Sequence, residues 1–126
     1  MSARFVIFCT ALSGFITVGL GAFASHMLRT QLSERLYDVL QTGIQYQMFH
    51  TLALFGVGIL MLRQPDRGWN QTAILFITGM VFFSGSLYML ALSGQHWLGA
   101  ITPVGGVLFL AGWLNLGRVA FRQLSE

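Results

Sequence analysis

The chain has 126 residues, of which 55% are hydrophobic and only 9% are charged. A soluble domain usually carries about 25% charged residues, so this composition excludes an ordinary soluble protein and indicates a small membrane protein. The net charge of +3 comes from seven arginines, most of which stand at the ends of hydrophobic segments. This placement indicates membrane orientation rather than nucleic-acid binding. The single cysteine, Cys9, excludes an intrachain disulfide.

Four hydrophobic segments reach or approach the roughly 20 residues that a membrane-spanning helix requires. They run from Phe5 to Ala24, from Gly43 to Leu62, from Thr72 to Ser93 and from Ala100 to Gly117. Turn-forming residues separate the last three segments, in the stretches 63–71 and 93–99. We therefore expect an all-α polytopic membrane protein in which residues 1–126 form one domain of four transmembrane helices.

The first segment carries small residues at steps of three and four, a pattern that lets helix backbones approach closely. These residues are Thr10, Gly14, Thr17, Gly21 and Ser25. A cleaved signal peptide is an alternative interpretation, because the sequence 22–24 (AFA) resembles a cleavage site. The hydrophobic run is long for a signal peptide, so a first transmembrane helix is favoured.

The stretch 27–41 differs from the segments around it because its hydrophobic residues are separated at helical spacing by polar ones. Leu28, Leu32 and Leu36 share one face of a helix, whereas Glu34 and Asp38 share the other. This pattern predicts an amphipathic interfacial helix between the first two transmembrane helices, lying along the outer membrane surface.

The second segment places polar residues where they are costly. Tyr46, Gln47, His50 and Thr51 cluster on one side of a helical wheel. The opposite side is hydrophobic and is expected to face lipid: Met48, Phe49, Leu52, Phe55 and Ile59. Burial disfavours a charged imidazole, so we expect a neutral His50 that faces the bundle interior. Its hydrogen-bond partner should be a tyrosine or serine of a neighbouring helix, or a bound ligand, within about 3.2 Å.

The third and fourth segments add further polar groups. Ser84 and Tyr88 share one helical face, and Ser86 shares another with Gly79, which predicts contact with two neighbouring helices. The fourth helix is expected to begin with Thr102 as its capping residue.

Arginine counts predict the orientation in the membrane. Five arginines fall on one side and two on the other, namely Arg4, Arg63, Arg67, Arg118 and Arg122 against Arg29 and Arg35. Both termini, including Glu126, are therefore expected in the cytoplasm, with the protein in the bacterial inner membrane. The stretch 27–41 and the loop 93–99 would then be periplasmic.

This orientation brings polar side chains from all four helices to a similar depth in the outer half of the membrane. The candidate ligand-binding residues are His26, Tyr46, Gln47, His50, Ser84, Ser86, Tyr88 and Thr102. Such a set predicts a polar pocket between the four helices.

Four motifs resemble those of one family of small membrane proteins. They are GAFASH at 21–26, QYQMFH at 45–50, FSGSLY at 83–88 and ITPVGG at 101–106. In this order they resemble the YgdD/YwdK-like small inner-membrane proteins, also called domain of unknown function four-two-three. The resemblance implies an inner-membrane helical bundle and no established activity. Ala24 stands where the family pattern GAFGAH has glycine.

Several functional interpretations fit these residues. The polar groups could hold the helices together through bonds of about 0.6 kcal/mol each. They could instead bind a lipid, a quinone-like molecule or another small amphipathic ligand from the bilayer. A third interpretation is a non-catalytic accessory subunit of a larger membrane complex, or a homo-oligomer.

Catalysis and metal binding are disfavoured by the sequence. The four hydrophobic segments contain no Asp, Glu, Lys or Arg that could serve a nucleophile or a proton relay, so no catalytic residue is assigned. His26, His50 and His96 have no metal-motif spacing, so no metal site is expected. No cofactor and no nucleic-acid partner are expected either.

Overall fold

Four long helices make up most of the protein in the computed structural model, which describes residues 1–124. We number them α1 (Ala3–Phe23), α2 (Glu34–Arg63), α3 (Arg67–Ser93) and α4 (Thr102–Gln123). A π-helical turn, Ala24–Leu28, continues α1, and a 3₁₀ turn, His96–Ala100, precedes α4. All four helices are long and hydrophobic enough to cross a membrane. The protein is an integral membrane helical bundle, as the sequence predicted; the expectation for Glu126 lies outside the described residues.

Each helix packs against the next one in the chain, so α2 and α3 are central and α1 and α4 flank them. The two ends of the described chain meet the α2–α3 turn. The Met1 ammonium donates to Asn70 Oδ1 over 2.8 Å, and Arg122 pairs with Asp66 over 3.1 Å. Both ends of the described chain and the α2–α3 turn therefore lie at one end of the bundle, in agreement with the predicted topology.

Local sequence signals begin and end the helices. Ser2, Ser33 and Asp66 cap the first turns of α1, α2 and α3, each accepting a hydrogen bond from a backbone N–H. Gly94 ends α3 in the left-handed conformation, with φ of 73°, which glycine adopts without steric cost. These signals fix the short connections that keep consecutive helices antiparallel.

Glycines bring α3 and α4 close together. A Cβ atom on Gly79 would lie 2.5 Å from the Phe109 ring, and one on Gly112 would lie 2.6 Å from the Phe76 ring. Both rings are buried in the main hydrophobic core, with Trp69. The glycines therefore act as the surfaces on which these aromatic rings pack, the usual role of small residues between membrane helices.

The structure corrects the predicted interfacial helix, because the stretch 27–41 forms no separate element. Residues 24–28 belong to the π-helical turn and residues 34–41 are the first two turns of α2. Ser33 caps the helix, and no proline interrupts it between Glu34 and Arg63, so the stretch 34–41 is continuous with the membrane-spanning part of α2. At Gly43 the Tyr88 ring of α3 packs against the α2 backbone. The hydrophobic face exists, but it is partly buried inside the bundle, where Leu28 and Leu40 pack with Ala24 and Ala91.

Candidate functional site: a groove between α1 and α3

A hydrogen-bonded network joins α1, α2 and α3. Gln47 Nε2 donates to Ser13 Oγ over 3.0 Å, and Tyr88 Oη donates to Gln47 Oε1 over 2.5 Å. Ser13 Oγ and Thr51 Oγ1 lie 2.7 Å apart, and both are 3.7 Å from Met80 Sδ. We call these five residues the Gln47 network. It gives polar partners to side chains that would be costly to expose to lipid.

An open groove runs along this network between α1 and α3. Its volume is about 390 Å³, within the range of small-molecule sites. The lining residues are Cys9, Leu12, Ser13, Ile16, Gln47, Ile77, Met80, Val81, Gly85 and Tyr88. The groove is therefore hydrophobic along its sides and polar where Ser13, Gln47 and Tyr88 meet.

His50 lies in a second cluster on the other side of α2, among aromatic residues. Only 2% of His50 is exposed. Its Nδ1 lies 2.8 Å from the Tyr46 carbonyl oxygen, and its Nε2 lies 3.0 Å from Trp113 Nε1 of α4. An indole nitrogen can only donate, so Nε2 accepts and Nδ1 carries the proton. His50 is thus neutral, with both ring nitrogens bonded.

The Phe109 ring stacks on the imidazole of His50, with 3.6 Å between ring centroids and 7° between planes. Phe76 and Trp113 pack against the same imidazole at larger angles. The expected geometry is confirmed, because His50 faces the interior and has polar partners within 3.2 Å. The predicted partner type was wrong: tryptophan, rather than tyrosine or serine, provides the side-chain bond.

Residues 20–106 match the model of a family described as a protein of unknown function, DUF423. This region contains all four motifs quoted above. The chain belongs to the DUF423 family. An inner membrane protein of Escherichia coli K12, YgdD of the group UPF0382, is 45% identical over 113 residues, covering 90% of this chain and 86% of its own length.

Two further relatives of this DUF423 protein come from other organisms. A UPF0382 membrane protein of Haemophilus influenzae is 43% identical, covering 91% of this chain and 92% of its own length. A UPF0382 membrane protein of Staphylococcus haemolyticus is 44% identical, covering 90% of this chain and 92% of its own length. No solved structure matches the DUF423 chain.

The predicted site residues of this DUF423 protein do not meet in one pocket. Gln47 and Tyr88 line the α1/α3 groove, whereas His50 belongs to the aromatic cluster near α4. Ser84 donates to the Gly43 carbonyl over 2.7 Å. The predicted four-helix pocket is therefore divided among separate helix interfaces.

Thr102, Tyr46 and His26 also differ from expectation. Thr102 does not cap α4; its hydroxyl lies 2.6 Å from Ser86 Oγ, and that pair joins α3 to α4. Tyr46 is 45% exposed, and its ring centroid lies 4.5 Å from that of Phe83 on α3. His26 is exposed on the π-helical turn. Within residues 1–124, no three His, Cys, Asp or Glu side chains gather as metal ligands.

Sequence reasoning missed Ser13, Met80 and Trp113. Ser13 adjoins the predicted small-residue stripe and lies four residues before Thr17, so helical spacing could have identified it. Met80 and Trp113 lie within hydrophobic runs and resemble ordinary core residues. Their contacts depend on which helices pack together, and the sequence pattern of a single helix does not predict that pairing.

Proposed function

We propose that this protein binds the hydrophobic chain of a membrane lipid, or of another small amphipathic molecule, in the α1/α3 groove. The observation that supports the proposal is the open volume of about 390 Å³ beside the Gln47 network. Hydrophobic sides with a few converging polar groups are typical of small-molecule sites. In a bilayer such a groove is accessible to lipid from the side.

The other polar residues give less support to a ligand site. His50 has a partner for each ring nitrogen, and Ser86 is paired with Thr102. Ser84 bonds a backbone carbonyl of α2. These side chains serve as contacts between helices. Among the predicted site residues, Gln47 and Tyr88 are the ones that line the groove.

The groove should open toward the outer half of the membrane. Arg4, Arg63 and Arg67 lie at the end of the bundle that carries the chain ends, and we propose that this end faces the cytoplasm. Tyr88 lies five residues before the opposite end of α3, whereas Ile77 lies nearer the middle of that helix. The polar part of the groove would then lie closer to the periplasmic surface, with the hydrophobic part extending toward the bilayer centre.

Native mass spectrometry of the purified protein tests this proposal. A Cβ atom on Gly85 would meet nothing within 4 Å, so Gly85→Leu should fill the groove without disturbing the helices. Gly117 is equally open but lies on α4, away from the groove, so Gly117→Leu is the matched control. We expect co-purified lipid adducts on the wild type and on the control, and their loss from Gly85→Leu. Equal adducts on all three proteins would contradict the proposal.

A second candidate function is that of an accessory subunit or homo-oligomer that uses the exposed face of α2. Gly56 is exposed there, and a Cβ on it would meet nothing within 4 Å. A glycine inside a helix costs about 1 kcal/mol relative to alanine, and internal packing does not require this one. On the same face the hydrophobic side chains of Phe49, Leu52 and Ile59 are exposed, and the small Gly56 among them would let a partner helix approach closely. Loss of a larger complex on native gels in Gly56→Leu, with retention in Gly117→Leu, would support this alternative.

A further inference from the structure

The protons of the Gln47 network can be assigned one by one. Thr51 has a single hydroxyl proton and lies 2.6 Å from the Gln47 backbone carbonyl, which can only accept. Thr51 Oγ1 must then accept from Ser13 Oγ, 2.7 Å away. Ser13 in turn accepts from Gln47 Nε2 over 3.0 Å. All the hydroxyl protons on this side of the network are therefore used.

The orientation of the Gln47 amide is fixed by a backbone group. The amide atom facing α1 lies 3.4 Å from the Ser13 carbonyl oxygen as well as near the Ser13 hydroxyl. A carbonyl oxygen there would face a second carbonyl oxygen, so this atom is the nitrogen. Gln47 Oε1 therefore points the other way and accepts the proton of Tyr88 Oη.

This assignment leaves no free hydroxyl or amide donor in the groove, because the two protons of Gln47 Nε2 go to Ser13 Oγ over 3.0 Å and to the Ser13 carbonyl oxygen over 3.4 Å. Gln47 Oε1 can accept a second bond, and so can Tyr88 Oη after donating its proton. The neighbouring hydroxyl, Ser84, cannot fill either position, because its proton goes to the Gly43 carbonyl. Apart from the weak thiol donor of Cys9, the groove thus presents unused acceptors.

We infer that the groove selects amphiphiles whose polar group donates a hydrogen bond, a hydroxyl or an N–H, over those with only carbonyl or ether oxygens. This inference rests on the proposed function, since it names the class of molecule that the same groove binds. A free alcohol can donate its one proton to Tyr88 Oη or to Gln47 Oε1, whereas an ester, ketone or ether would bring an acceptor against acceptors. Among quinone-like molecules, the rule favours the reduced quinol over the quinone.

The shape of the groove indicates the rest of the molecule. Its α1 side runs from Cys9 to Ile16 and its α3 side from Ile77 to Tyr88, or about 10 Å and 16 Å at 1.5 Å per residue. These lengths suit one linear hydrocarbon chain aligned with the helices. The polar end lies at Tyr88 and the hydrophobic sides continue along Val81 and Ile77.

A competition between two probes, one of which carries a methyl group in place of the hydroxyl hydrogen, tests the inference. Delipidated full-length protein is mixed with equal amounts of hexadecanol and methyl hexadecyl ether, and bound ratios are read by native mass spectrometry. We expect the alcohol to be favoured about three- to tenfold in the wild type, the effect of one hydrogen bond. In Gly85→Leu the new side chain fills the groove from α3, so this variant gives the ratio of bound alcohol to bound ether outside the groove. Leu12→Trp is a second variant that blocks the groove, from the α1 side.

The outcomes separate the two proposals. A preference for the alcohol that both blocking variants abolish supports the inference. Equal binding of both probes to the wild type, lost in the blocking variants, overturns the donor rule and leaves the binding function intact. Binding that is the same in wild type and blocking variants overturns the proposed function itself.

Discussion

The bond between Trp113 and His50 should contribute measurably to stability, and its size can be worked out from the structure. Trp113→Phe keeps an aromatic ring but removes the N–H that His50 Nε2 accepts at 3.0 Å. Bonds between membrane helices average about 0.6 kcal/mol and reach about 1.7 kcal/mol. A buried acceptor left without a partner costs about 1–3 kcal/mol. We therefore expect Trp113→Phe to lower the free energy of unfolding by about 1 kcal/mol.

His50→Leu should cost more, because it also removes the stack on Phe109, and aromatic pairs contribute about 0.5–1.5 kcal/mol. The double variant should be less destabilised than the sum of the two single variants, by about 0.6–1.7 kcal/mol. Reversible unfolding by SDS in mixed micelles, followed by far-UV circular dichroism, measures all four proteins.

The matched control for the tryptophan is Trp97→Phe, because Trp97 is 64% exposed in the 3₁₀ turn. This variant should unfold like the wild type. If Trp113→Phe were as neutral as the control, or if the effects of the His50 and Trp113 changes were strictly additive, the bond would contribute nothing. The assignment of a neutral, Nδ1-protonated His50 would then lose its energetic support, and ¹⁵N chemical shifts of the imidazole would have to decide the tautomer.

Three other predictions concern packing, capping and orientation. Gly112→Ala should destabilise the protein by about 1–3 kcal/mol through overpacking against an α3 ring, whereas Gly117→Ala, with open space, should be neutral or stabilising in the same SDS titration. Asp66→Ala should cost about 1 kcal/mol, mostly from the lost cap of α3. High salt should change this cost little, because the partly exposed ion pair with Arg122 contributes little to stability even before it is screened. In a cysteine-free background, a membrane-impermeant thiol reagent should label Gln95→Cys but not Gln64→Cys in intact cells; the reverse pattern would invert the proposed orientation.

Hydrophobicity and helical periodicity were enough to predict the four spans and most of the lipid-facing surface. The prediction that Phe49 and Leu52 face outward while Gln47 and His50 face inward is confirmed. The two faces of α3 also contact different helices, as predicted. These properties depend on the free energy of burying single side chains, which each segment carries in its own sequence.

The placement of the candidate site was harder to predict. Gln47 and His50 are three residues apart and both buried, yet they face different neighbours, because one lies toward α1 and the other toward α4. A helical wheel gives the direction of each side chain but not the helix that stands there. The α1/α3 groove likewise results from α1 packing on α2 and leaving α3 partly uncovered. The hydrophobic pattern of one helix does not predict which other helices it contacts, so it could not predict this groove.

The flanking position of α1 has a mechanical consequence. This helix packs closely on α2, and only its Val6, Ser13 and Thr17 are buried among its residues Ala3–Phe23. Parts of a protein with fewer buried contacts open at lower free energy than the core. Under tension applied from the N-terminus in a magnetic tweezer, α1 should therefore peel away first, at a lower force than the α2–α4 unit. That extraction step would dismantle the groove while leaving the aromatic cluster around His50 assembled.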